Sequence, residues 1–315
     1  MILTVTLNPL LERRLVFPSV QLGKDFRTDK DFFTAGGKGI NVSRQLNYLG
    51  IKNLAYTFLG GNNGKIMKNL LADEKIDFIS IQTKSETREA SLIIEEDENR
   101  ITTFFGPNSL VTKAEADEFK LKMKKMIENC AIVVFSGSSP CKETDDIFPY
   151  GIETANEYDK ISICDTYGSH FQNCIDKSPT IIHNNLHEVE RSVGLKLAGE
   201  NEILDYLHKL YKKEIKQVYL TNGNNPVYAG NFDFIYKAEC PKVTQLDPTG
   251  SGDSFVAGIA YGLHNALTFE ETFRTAISLG AANASGWEMC SVKLEDIALL
   301  KDEIKIETVG KKMRM

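Results

Sequence analysis

The chain has no paired-cysteine spacing, no long apolar run, no basic excess and no internal repeat or low-complexity tract. Each absence excludes something. Its six cysteines, Cys130, Cys141, Cys164, Cys174, Cys240 and Cys290, never fall in a CxxC pattern. They read as reduced packing residues, which argues against a structural zinc site. No segment approaches the roughly 20 apolar residues that span a bilayer. The opening "MILTVTLNPLLERR" has no basic flank and too short an apolar run for a secretory leader, so a cytoplasmic protein is expected. A formal net charge of −6 argues against nucleic acid and anionic membrane as partners. The basic "KKMRM" at the end is too short to imply more than a solvated terminus.

What remains is ordinary globular material, 42% hydrophobic and 25% charged over 315 residues. That length allows one large domain with an appendage or two small ones; a single domain over 1–315 is expected. Short β-branched runs at 2–7, 53–60, 131–137, 160–166, 180–185 and 215–221 alternate with amphipathic stretches such as "KGINVSRQLNYLG" and "TKAEADEFKLKMKKMIENC". The alternation predicts an α/β fold, a mostly parallel sheet with helices on both faces. Ligands of such sheets lie at the carboxyl ends of the strands, where Asn8, Ser136, Asp165 and Asn185 fall. Two regions break the pattern. Residues 12–35 are polar and extended, and 88–106 reads as a hairpin turning near Asp97–Asn99. Together they predict a small separate sheet, either a lid or an edge hairpin. A second hairpin is expected in "PVYAGNFDFIYKAEC".

Three stretches carry chemistry. "DPTGSGDSFVAG" (247–258) puts Gly250 and Gly252 before an apolar helix, whose first N–H groups and dipole favour an anion. Asp253 sits among them, either as a helix cap or as a working carboxylate. "TAGGKGINVSR" (34–44) sets Lys38 on a glycine-rich helix start, either a surface lysine or a cation for an anionic ligand. In "NLHE" (185–188) the amide and carboxylate share one side of a helix start and suit either a cap or hydrated Mg²⁺. "LGGNNGKI" (59–66) is one residue short of a P-loop and has Ile66 where a hydroxyl is needed, so a turn or a sugar-contacting loop is expected there.

In order, "NPLLE", "GGKGIN", "SGSSP" (136–140), "DTYG" (165–168), "NLHE", "TNG" (221–223) and "DPTGSGD" resemble the PfkB carbohydrate kinase family, with its ribokinase-like three-layer α/β/α fold and small β-sheet lid. "TLNP", "TAGGKGIN" and "TR" (87–88) resemble its hexose-phosphate kinase branch. The resemblance implies ATP and Mg²⁺ as cofactors and a phosphosugar as substrate. It implies Asp253 as the base, with the amides of Gly250, Ser251 and Gly252 as an anion hole kept beside an ionised carboxylate. It implies Asn185, Thr221, Gly223, Thr249 and Asn283 at the nucleotide, with Glu188 and Asn185 at the metal through water. Glu12, Gly37, Lys38, Asn41, Arg88 and Ser138 would face the sugar phosphate, with Lys24 and Arg27 as further candidates. A homodimer through the lids is implied as well.

Three positions depart from the family's pattern. Glu12 stands for an aspartate, "HNN" (183–185) replaces "KPN", and Pro226 replaces a frequent glycine. The expected activity is ATP-dependent phosphorylation of a ketohexose phosphate: tagatose-6-phosphate, fructose-1-phosphate or fructose-6-phosphate. Two alternatives stand beside it. One is a kinase of an unphosphorylated sugar or nucleoside, which leaves Lys38 and Arg88 without an anion. The other is a catalytically weak sugar-phosphate sensor, against which the intact "GSGD" argues.

Overall fold

A computed structural model describes residues 1–309; the basic tail lies outside the described residues. The strands are β1 (Ile2–Thr6), β2 (Leu10–Phe17), β3 (Asp31–Gly36), β4 (Asn53–Gly60), β5 (Phe78–Thr83), β6 (Glu89–Glu95), β7 (Arg100–Phe105), β8 (Ile132–Ser136), β9 (Ile161–Asp165), β10 (Ile181–Asn185), β11 (Gln217–Thr221), β12 (Val227–Asn231), β13 (Phe234–Ala238) and β14 (Ile306–Val309). The α-helices are α1 (Lys38–Tyr48), α2 (Gly61–Asp73), α3 (Lys113–Glu128), α4 (Ile147–Glu157), α5 (Phe171–Ile175), α6 (Leu186–Val193), α7 (Glu200–Tyr211), α8 (Ser251–His264), α9 (Phe269–Ala284) and α10 (Ala298–Glu303).

Among the described residues the main sheet has ten strands in the order β14-β13-β12-β11-β10-β9-β8-β1-β4-β5. The run from β11 to β5 is parallel, and β12, β13 and β14 continue it antiparallel. Strand alternation builds two cores. Val133 and Phe135 of β8 face α3, α4 and α7 on one side, while Ile132 and Val134 face α1, α8 and α9 on the other. The result is a three-layer α/β/α sandwich. All six β-branched runs and the second hairpin fall on strands, as their composition predicts.

Among the strands, two were not foreseen. β5 ("FISIQT") alternates only briefly, and β14 ("IETV") is four residues with none buried, so neither stands out. "LGGNNGKI" is a correction. Gly60 ends β4 and caps α2, so residues 61–66 form a helix start rather than a loop.

The small sheet forms from the two segments expected, in the order β3-β2-β6-β7. β2 pairs antiparallel with β3 and parallel with β6, so the sheet is mixed. It leaves the main sheet immediately after β1, beside the strand ends. β1 has β4 on one side and β8 on the other, so the order in which strands are added reverses there and opens the crevice in which such folds bind ligands.

Candidate active site

The start of α8 decides what Asp253 does. Gly250 is the N-cap, in the left-handed region at φ 80°, and a Cβ there would lie 2.5 Å from Met289 Cγ. No side chain caps this helix. Asp253 sits in the first turn but turns inward, 4% exposed, and its Oδ2 accepts from Asn41 Nδ2 at 2.7 Å. The capping reading therefore fails for Asp253. Asp247 holds the turn instead, its Oδ1 accepting from the Thr249 N–H at 2.8 Å.

A second expectation is corrected here. The helix dipole was expected to keep Asp253 ionised, but burial outweighs it. The carboxyl is pushed up to about 7, with Lys38 and the Asn41 hydrogen bond pulling down and Asp165 and Glu188 pushing up. Of the amides expected to form the anion hole, that of Ser251 is engaged within the turn. The Ser251 N–H donates to the Pro248 carbonyl at 3.1 Å, which leaves the next amides of the turn, those of Gly252 and Asp253, for an anion.

Lys38 stands at the start of α1, which presses on β1 so closely that a Cβ on Gly39 would come within 2.4 Å of Thr6 Oγ1. Its Nζ lies 2.8 Å from Glu188 Oε1 and 3.3 Å from Asp165 Oδ1, and 5.3 Å from the Tyr167 ring centroid. Burial works against this charge, but Asp165, Glu188 and Asp253 outweigh it and push the ammonium pKa up. Asp165 in turn accepts from Ser136 Oγ at 2.5 Å and meets His183 Nδ1 at 2.9 Å. Burial pushes its carboxyl up, and Lys38, His183 and Ser136 together hold it below the ordinary carboxylate range. Lys38 was expected beside Arg88; the structure pairs it with carboxylates instead.

Asn185 and Glu188 form a capping box on α6, so the capping reading of that pair holds. Only Glu188 Oε2 serves the cap; Oε1 faces Lys38. The two carboxylate oxygens of Glu188 and Asp165 already converge on a cation, and the donor set is hard oxygen, which suits Mg²⁺ held beside phosphates.

Lys38, His183, Asn185, Glu188, Thr221 and Gly223 line one end of a cavity of ≈ 240 Å³ that runs past Ser251 and Gly252. Its other wall is apolar: Val227, Val243, Phe255, Ile277, Ala281 and Ala284. Asn283, expected against the nucleotide, is not on that wall. It is 1% exposed and ties the Asp253 turn to α9, donating to Thr249 O at 2.8 Å and Ser251 Oγ at 3.1 Å and accepting from the Cys290 N–H at 2.7 Å.

A separate polar cluster lies beyond β1. Asn8 Nδ2 donates to Asn108 Oδ1 at 3.1 Å and Ser138 Oγ at 3.2 Å, and Asn8 Oδ1 is buried without a partner. Arg88 donates to the Asn8 carbonyl at 3.0 Å and to Asn108 Oδ1 at 3.3 Å. No carboxylate pairs with Arg88 among the described residues, and its burial lowers the guanidinium pKa. Glu12 is 5% exposed; its Oε2 accepts from Arg14 Nη2 at 3.2 Å and Thr34 Oγ1 at 3.3 Å. Arg14 also stands 3.5 Å from Asp247 Oδ2, so Glu12 is half of a buried ion pair rather than a free carboxylate. Lys24 and Arg27 lie in the exposed connection between β2 and β3, and neither side chain bonds to a site residue.

The model of the pfkB family of carbohydrate kinases matches residues 15–287. This chain belongs to that family. Tagatose-6-phosphate kinase of Staphylococcus epidermidis is 30% identical over 287 residues, covering 90% of this chain and 92% of that protein. A possible 1-phosphofructokinase from Thermotoga maritima superposes with a TM-score of 0.90 at 25% identity, covering 98% and 99% of the two chains. Phosphofructokinase-2 from Escherichia coli, solved with potassium, superposes with a TM-score of 0.89 at 23% identity, covering 96% and 98%; at that identity the likeness speaks for the fold.

Several residues of this pfkB-family site escaped sequence reasoning. Asn108 had a signal, the "GPN" that closes the lid hairpin. Asp165 was placed at a strand end but given no role. Arg14, Arg44 and Cys290 were given no role at the site, and Asp247 was quoted with the glycine-rich turn but given none; part of what each does depends on groups that only folding brings alongside it.

Proposed function

We propose that the protein transfers the γ-phosphoryl group of ATP to a hydroxyl of a ketohexose phosphate, giving the bisphosphate. The candidate acceptors are tagatose-6-phosphate, fructose-1-phosphate and fructose-6-phosphate. The observation that carries this reading is Asp253: a buried carboxyl near neutrality, at an anion-receiving helix start, and not a cap. The sugar hydroxyl oxygen attacks the γ-phosphorus, the bond to the β–γ bridging oxygen breaks, ADP leaves, and the hydroxyl proton passes to Asp253. Such a loose transition state needs positioning and charge neutralisation more than a strong base.

The apolar wall formed by Val243, Phe255, Ile277 and Ala281 suits a purine, and the polar end by Thr221 and Gly223 suits its phosphates. Glu188, with Asn185, would hold Mg²⁺ through water, where the ion neutralises phosphate charge. Lys38, already compensated by carboxylates on the same side, then becomes free to face the transferring group. Arg88, with no carboxylate partner, suits the phosphate already on the sugar, and the orphaned Asn8 Oδ1 suits a sugar hydroxyl. The relative named tagatose-6-phosphate kinase supports this substrate class.

Exposed Phe32 and Phe33 on β3, and Phe104 and Phe105 on β7, leave both edges of the lid apolar. They support a second copy docking there. Turnover with ATP, Mg²⁺ and a panel of ketohexose phosphates tests the reading. At least one phosphate should be used far better than free fructose or tagatose. Equal kcat/KM for free sugars and their phosphates would reject it.

A further inference from the structure

Arg44 is buried, carries a charge and lines none of the active-site cavity. It sits on α1 at 8% exposure, one turn beyond Asn41. Its guanidinium pairs with Glu74, the C-cap of α2, and donates to the Ala35 carbonyl. Its Nη1 donates to Asn41 Oδ1 at 2.8 Å. Asn41 is itself 5% exposed, and its other end, Nδ2, donates to Asp253 Oδ2 at 2.7 Å.

The chemistry of these groups fixes the order. A guanidinium has only donors, so the Asn41 atom that faces Arg44 must be the carbonyl oxygen. The NH₂ must then face Asp253. An amide without such a neighbour can turn over and present either end. We propose that Arg44 is a positioning residue of this site: it locks the Asn41 amide so that Asp253 always meets a hydrogen-bond donor.

The lock matters because Asp253 is poised between two forms. An ionised carboxylate accepts the Asn41 N–H; a protonated one gains from an amide that can turn and accept. The groups facing Asp253 are Lys38 and Asn41 from α1, Asp165 from β9, Glu188 from α6 and Cys290 from the segment after α9, with His183 of β10 3.5 Å from where a Cβ on Gly252 would lie. Burial is the largest influence and opposes the charge, and Lys38 is the largest that favours it. With the carboxyl at about 7, one hydrogen bond shifts the ionised share at neutral pH.

The inference rests on Asp253 as proton acceptor, and the experiment separates the two. Arg44→Met should move the acidic limb of the kcat–pH profile upward by about one unit. That is about a tenfold loss of kcat well below the limb, largely recovered above pH 9, with KM for ATP unchanged. In an Asn41→Ala background, adding Arg44→Met should leave the limb where Asn41→Ala alone puts it. A loss equal at all pH values, or a further shift in the double variant, overturns the proposal. Should Arg44→Met not fold, Arg44→Lys and the surface change Glu74→Gln should move the limb the same way by less; a limb unmoved in both also overturns it. The Asp253 carboxyl can be titrated directly by ¹³C NMR in the free protein, without turnover. If its titration shifts in the Arg44 variants while Asp253→Asn still turns over, the lock stands and the assignment of the base fails.

Discussion

A carboxyl whose pKa lies at about 7 is a poor cap and a plausible proton acceptor, and Asp253 shows what that costs the fold. Its ordinary value is 3.8. Folding therefore favours the protonated form, and the folded state holds more protons than the unfolded one between those two values. Stability falls as pH rises through that window and levels off above it. Asp253→Asn should raise the unfolding free energy at pH 8 relative to the parent by about 1–4 kcal/mol, seen as a higher Tm, and by much less at pH 4. The same change should lower kcat by about 10²–10⁴-fold while nucleotide binding persists. Thermal melts at the two pH values and steady-state kinetics check both. A variant with near-normal kcat would reduce Asp253 to a structural residue.

Arg88 and Glu188 divide the remaining roles at this scale. Arg88→Ala should raise KM for the sugar phosphate by about one to two powers of ten, the worth of a charge-assisted contact. KM for ATP should hardly move. Glu188→Gln should raise the Mg²⁺ concentration needed for half-maximal rate, read from a Mg²⁺ titration at saturating ATP. An unmoved titration would count against metal at that carboxylate.

Elements were easier to read in the sequence than the contacts between them. The inner parallel strands announced themselves because each is short, β-branched and flanked by a helical period. β5 and β14 did not, since an edge strand is defined by its partner, and the partners, β4 and β13, are not visible from within "FISIQT" or "IETV". The glycine-rich helix starts carried the site, and motif order placed Asp253, Lys38 and Glu188 near one another. It failed where a residue's role depends on what faces it. Lys38 looked like a free cation until Asp165 and Glu188 met it, and Asn283 looked like a pocket residue until its amide turned inward.

One contact between elements offers a direct test. α8 and α9 pack so closely that a Cβ on Gly258 would lie 2.6 Å from Ala276 Cα, a backbone atom with nowhere to go. Gly258→Ala should destabilise the protein by roughly 1–3 kcal/mol, seen as a lower urea midpoint. Because Asn283 ties α9 to the Asp253 turn, kcat should fall further than stability alone explains.

At the scale of the whole molecule, the proposed docking of a second copy on the lid edges can be tested. The exposed phenylalanines of β3 and β7 should bury against a second copy. Sedimentation at micromolar concentration should show a dimer, and Phe104→Asp with Phe33→Asp should shift it toward monomer. A protein that sediments as a monomer throughout would remove the lid-to-lid arrangement.

The hydrogen bond between Asn41 and Asp253 joins positions 212 apart in the chain, and Gln45 reaches 247 positions ahead to the Val292 carbonyl. A ribosome adding about 5–20 residues per second needs roughly 10–40 s to travel from one partner of the first pair to the other. Through that interval α1 has emerged, but the apolar face bearing Val42 and Leu46 waits for α8 to cover it. The site does not come together until α8 has been made, so a chain that stops before Asp253 leaves Asn41 without its partner.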